Sequence, residues 1–298
     1  MALRSEFVHV ALLILMSTLI GTMFPLLKIA EQSIPPLTLT MFRVLMATAM
    51  MLIIVGLVMK RSLSPLATYW KTFAFLGLLL SVFFMAISEA EERIPASLAA
   101  LMGCTVPSAT FLITTLVLRW EPFSWLRFGG TLVAVAGMIV FIGTQGLSAG
   151  RNEFIGVAII CCGYIIYATN MIYARYRDLD PFLTATGTLL YAGLFMAVVA
   201  FSLELPLAIR PTPEAWLASA CIGFLSTGLV YLLLYYLIAN VGPVFAATSG
   251  YIFPIVTLLL SHILVGESMD VSHLVGMAVT LAGAWLVNRK PEPVGAGA

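Results

Sequence analysis

Few of the 298 residues could do chemistry, and the types present speak for binding and proton exchange rather than bond making. Arg43 stands inside an apolar run, where a charge is costly and needs a reason. Its planar fork suits a substrate carboxylate; a structural Arg43 would instead satisfy carbonyls freed by a kink, or snorkel outward. Lys28 falls just beyond Pro25 and suits either a cavity mouth or an interface anchor. Glu89, Glu91, Glu92 and Arg93 read as a solvated turn, with Glu89 the proton-coupling candidate if a cavity opens beside it. His262 is a second coupling candidate because imidazole titrates near neutrality; the alternative is a packed or interfacial histidine, as for His9 and His273. Tyr164 and Tyr167, spaced i and i+3, Tyr231 and Tyr235, spaced i and i+4, and Tyr251 each bring an apolar ring with a hydroxyl that needs a partner. Asn170 is polar in mid-run and faces a cavity or a helix partner across it. These residues are the substrate-binding candidates together with Arg43.

Catalytic signatures are missing. There is no His-Glu-x-x-His, no intramembrane aspartate pair and no Gly-x-Ser-x-Gly. The four cysteines lack ligand spacing, so no metal and no cofactor are expected, and no enzyme.

The elements that must position these residues are membrane helices. The chain is 61% apolar and 10% charged, with mean hydropathy +1.05. A soluble domain could not cover itself with so few charges, and the uncharged runs are roughly the 20 residues that span a bilayer. Ten helices are predicted, near 7–28, 36–59, 71–90, 95–118, 124–142, 153–174, 182–203, 214–238, 243–265 and 270–288. The first is too long for a signal peptide and no small-x-small site follows it. Residues 291–298 read as a flexible tail.

A pattern is written twice. Ala99-Ala100, Gly103, Pro107, Glu121, Gly130 and Ala136-Gly137 return as Ala246-Ala247, Gly250, Pro254, Glu267, Gly276 and Ala282-Gly283, offset by 147 positions and then by 146. The chain therefore divides into 1–146 and 147–290, five helices each. Placing the N-terminus in the cytoplasm puts Arg4, Lys60, Arg61, Lys71, Arg119, Arg127, Arg175, Arg177, Arg289 and Lys290 inside, ten against the four outside, Lys28, Arg93, Arg151 and Arg210. That is the bias of cytoplasmic loops, and both termini are expected inside. Five is odd, so the halves run in opposite directions; inverted repeats place a substrate near the midplane and permit alternating access. Small residues at i, i+3 and i+7 let backbones approach, and Gly103, Pro107, Gly250 and Pro254 serve close packing or act as hinges beside the cavity.

The doubled pattern around Pro107 and Pro254, with Pro36-Leu37 through Phe42-Arg43, resembles the EamA family of the drug/metabolite transporter superfamily, over nearly the whole chain. The resemblance implies an all-α, ten-helix secondary transporter of two EamA-like halves in a bacterial inner membrane, often exporting amino acids or related metabolites. The family's frequent first-helix Trp is absent from Leu15-Met16-Ser17-Thr18-Leu19-Ile20-Gly21. An amino acid, aromatic in view of the tyrosines, is the expected substrate. Proton-coupled efflux of cationic drugs is the alternative, and it wants a carboxylate in mid-membrane, where no predicted helix carries one. The partners expected are a small-molecule substrate and the lipid bilayer; nucleic-acid binding has no support, and oligomeric state stays open.

Overall fold

The computed structural model describes residues 2–120, 122–147 and 151–288; Glu121 and the segment 291–298 lie outside them. All regular structure among the described residues is helical. Ten helices carry the fold: α1 (Ala2–Ala30), α2 (Pro36–Val58), α3 (Trp70–Glu91), α4 (Ala96–Val117), α5 (Trp125–Leu147), α6 (Arg151–Arg177), α7 (Pro181–Leu203), α8 (Pro213–Asn240), α9 (Pro243–Val265) and α10 (Val271–Asn288). Eight are long and apolar enough to cross a membrane, and α5 and α10 contain shorter apolar stretches. Pro36, Pro181, Pro213 and Pro243 open their helices, where a missing N–H costs nothing and φ is already helical. Gly266, at φ 75°, closes α9 in the left-handed conformation that glycine adopts without strain.

The repeated residues meet one another. Helices α4 and α9 cross at Gly103 and Gly250, so closely that a Cβ on Gly250 would stand 2.5 Å from the Gly103 oxygen. Pro254 has no N–H to offer the Gly250 carbonyl, which instead accepts from Cys104 Sγ at 3.5 Å. Both helices are broken at this level. Residues Met102–Cys104 form a 3₁₀ turn in α4, and α9 is interrupted at Thr248. Helices α5 and α10 pair antiparallel through Gly130 and Gly283, each placed where a Cβ would fall within 2.9 Å of the other's oxygen. Tight backbone contact of this kind replaces the hydrophobic effect in lipid.

Each end of the bundle has its own polar ties. At the end where α3 finishes, Glu204 caps α2 by accepting from Leu37 N (3.1 Å), Thr38 N (2.7 Å) and Thr38 Oγ1 (2.6 Å). There Glu267, from the second copy of the pattern, caps α4 by accepting from Ala96 N (3.0 Å) and Ser97 N (3.3 Å). At the opposite end Asp180 caps its own α7 and takes Arg61 Nη1 at 2.6 Å. A carboxylate at a helix N-terminus meets unsatisfied N–H groups and the positive dipole end.

Candidate substrate site

A cavity lies where the two halves meet. Its wall takes Ile20, Met23 and Phe24 from α1, Phe83, Phe84 and Ile87 from α3, and Val106 from α4. The second half supplies Tyr164 and Tyr167 from α6, Ser226, Thr227, Val230 and Tyr231 from α8, and Ser249, Gly250 and Phe253 from α9. The internal repeat organises this wall. Phe83 and Val230, Phe84 and Tyr231, and Val106 and Phe253 are each separated by the 147-residue offset, and all six line the cavity. Phe84 and Tyr231 face each other edge to face at 6.2 Å. Gly103 makes room for Phe253, whose Cζ stands 2.2 Å from where a Cβ would sit.

The free volume is ≈ 40 Å³, space for about three water molecules and less than one amino acid fills. Its chemistry is aromatic with a few hydroxyls. Phe83 stacks on Tyr167 at 4.5 Å and lies tilted against Tyr164 at 5.4 Å. Tyr164 donates to the Ala99 carbonyl at 3.0 Å, Ser226 pairs with Thr22 at 3.0 Å, and buried Thr227 Oγ1 has no partner among the described residues. Helix α8 widens into a π-turn over Ile222–Leu229, which aims Ser226 and Thr227 inward; such bulges concentrate at functional sites.

Arg43 stands behind this wall and is fully enclosed. Its Nη1 lies 3.3 Å from Met23 Sδ and its guanidinium 3.9 Å over the Phe84 ring. Nε and Nη2 have no acceptor among the described residues. One layer of side chain, Met23 and Phe84, separates a free donor fork from the cavity.

The other sequence candidates are placed elsewhere. Asn170 is fully buried as a strut, donating from Nδ2 to the Leu76 carbonyl (2.8 Å) and accepting from Tyr235 OH (2.9 Å), which also reaches Thr188 (3.3 Å). It ties α6 to α3 and α8 and does not line the cavity, nor does Tyr235. Tyr251 faces a separate recess between the start of α1, the α8–α9 junction and α10. Glu89 is exposed and paired with Arg93 at 2.6 Å, and His262 Nδ1 lies 2.8 Å from the Glu267 carbonyl. Pro107 and Pro254 are buried at the α4–α9 crossing.

One expectation fails. The acidic turn is not uniformly solvated, because α3 extends to Glu91, which is 2% exposed with both carboxylate oxygens unpartnered. Lys28 Nζ donates to the Glu91 main-chain carbonyl rather than to its carboxylate. Glu31, beyond the end of α1, has its carboxyl pushed up to about 7 by burial, with Lys28 and Arg43 pulling the other way. The cavity phenylalanines had a signal too. Extending the offset to non-identical positions pairs Phe84 with Tyr231 and Val106 with Phe253.

Comparison with known proteins agrees with this architecture. The model of the EamA-like transporter family matches residues 8–143 and again 154–289. A probable terminal-alkyne amino-acid exporter of Streptantibioticus cattleyicolor is 27% identical over 216 residues, 71% of this chain and 70% of that one. The inner membrane transporter YedA of Escherichia coli K12, itself uncharacterized, is 26% identical over 271 residues, 90% and 86% of the two chains. A solved crystal structure at 18% identity superposes with a TM-score of 0.76, covering 93% of this chain and 96% of its own, which shows the fold alone. With both halves matched separately and the cavity lying between them, the chain belongs to the EamA-like transporters of the drug/metabolite transporter superfamily and is a multi-pass integral membrane protein.

Proposed function

We propose that the protein is a secondary transporter that exports amino acids, aromatic ones foremost, by alternating access through the cavity between its halves. The observation that carries this reading is the pairing of repeat-related residues around one aromatic cavity. Inverted halves rocking about such a site expose it to one side and then the other. An aromatic side chain stacks on Phe83, Phe84, Tyr167 and Tyr231, and Arg43, one layer behind, takes the carboxylate once Met23 and Phe84 move aside. The relative from Streptantibioticus cattleyicolor supports an amino-acid substrate. Efflux of cationic drugs has less support, since no Asp or Glu is among the lining residues. The bias of Lys and Arg supports both termini in the cytoplasm and the Glu91 end outside, and the relative YedA supports a bacterial inner membrane.

Counterflow in proteoliposomes tests the reading. Vesicles loaded with unlabelled phenylalanine, tyrosine or tryptophan are expected to accumulate the labelled form. Accumulation confined to sugars or organic cations would discard the amino-acid assignment and keep the transporter.

A further inference from the structure

A buried carboxylate with no hydrogen-bond partner has three ways to exist: it is neutral, it is balanced by a cation nearby, or it opens its surroundings to water. Glu91 presents that choice at one end of the central cavity, one helical turn beyond the lining residue Ile87. Two cations face it without touching the carboxylate. Lys28 donates to the Glu91 main-chain oxygen, and neither Lys28 nor Arg43 makes an ion pair with Glu91 within 4 Å among the described residues. The remaining groups that face Glu91 are Glu31, the Glu267 carboxylate already spent on the α4 N-terminus, and the Tyr164 hydroxyl already spent on Ala99.

The repeat shows that this carboxylate is not a requirement of the fold. The 147-residue offset that relates Phe84 to Tyr231 carries Glu91 onto Ile238, which is 2% exposed in the matching place on α8. One half buries isoleucine at this place, and the other buries a group that can lose its charge.

We infer that Glu91 is a proton-operated gate: with a proton it lets its end of the bundle close over the cavity, and without one it holds that end open and hydrated. The proton comes from the solvent on the Glu91 side and returns to it when the end reopens, so the carboxylate alone changes charge. The inference rests on the alternating-access reading of the protein, but its test needs no substrate.

The test is thiol labelling of Thr227→Cys in a background without Cys104, Cys161, Cys162 and Cys221, using a membrane-impermeant maleimide applied from the Glu91 side of proteoliposomes. Comparing the parent with Glu91→Gln at each pH cancels the thiol's own pH dependence. The expected result is a parent-to-Gln ratio of labelling rates that is close to one at low pH and climbs at least tenfold as pH rises. Glu91→Ile, the residue found in the other half, is expected to behave as Gln does, and Glu89→Gln to behave as the parent. A ratio that stays flat with pH overturns the gate. So does flattening produced by Glu31→Gln but not by Glu91→Gln, which would give the role to Glu31. A pH-dependent ratio in a protein that fails amino-acid counterflow would keep the gate and discard the substrate assignment.

Discussion

Arg43 and Asn170 are both buried polar side chains in mid-helix, and their surroundings divide their roles. Asn170 has its polar atoms filled by Leu76 and Tyr235. Asn170→Ala leaves a buried carbonyl and a buried hydroxyl short of a partner, a loss of about 1–3 kcal/mol. The expected outcome is a lower melting temperature in detergent with an unchanged half-saturation concentration in counterflow. Arg43 has two donor groups unfilled beside the cavity. Arg43→Lys keeps the charge and removes the fork. With charge-assisted bonds worth about 1.5–3 kcal/mol, it should weaken amino acids by roughly 10- to 150-fold in competition binding. The decarboxylated amines, which have nothing for the fork to hold, should be unaffected. Glu31 titrates separately. Its carboxyl is raised from 4.5 to about 7 in the folded protein, so its stabilising contribution is complete below pH 4.5 and is lost as pH rises through 7. Melting temperature should fall over that window in the parent and fall less in Glu31→Gln.

The elements depend on small residues most strictly where backbones cross. A Cβ at Gly250 would stand 2.5 Å from the Gly103 oxygen, which a backbone cannot vacate cheaply, while a Cβ at Gly129 meets nothing within 4 Å. Gly250→Ala is therefore expected to lower the melting temperature, and Gly129→Ala to hold or raise it, since alanine is favoured in a helix by about 1 kcal/mol. Equal effects from the two would mean that the α4–α9 crossing is not a tight contact. The repeated spacing of Gly103, Pro107, Gly250 and Pro254 and the lengths of the uncharged runs were legible in the chain, but not that the two copies pack on each other. The site was legible only in part. Tyr164, Tyr167 and Tyr231 reach the cavity, whereas Tyr235 lies one turn further along the same face, on Asn170 and Thr188, and Tyr251 is turned about 100° away from the lining residue Gly250. Glu91 was hidden for another reason. Sequence gives its place beside charged neighbours at a helix end, but its burial and its nearness to Lys28, Glu31 and Glu267 come from the tertiary fold.

The molecule as a whole carries polar ties between its halves at both ends, around a central cavity with room for little but water. The two ties are unequal. The Arg61–Asp180 pair is about a third or more exposed on each side, at 42% and 34%, and exposed pairs contribute only about 0.2–1 kcal/mol. Glu204 makes three bonds to the start of α2, each to a charged acceptor in a partly buried place, and bonds of that kind contribute about 1.5–3 kcal/mol. Removing a tie at one end should shift the population toward opening at that end, by as much as the lost interaction favoured the closed form. With the cysteine reporter at position 227, Arg61→Ala should raise labelling from the Arg61 side by roughly 1.4- to 5-fold. Glu204→Ala should raise it from the opposite side, by roughly tenfold or more. Labelling that rises from the same side in both variants would contradict a rocking mechanism, because two inverted halves closing over one site cannot share a single entrance.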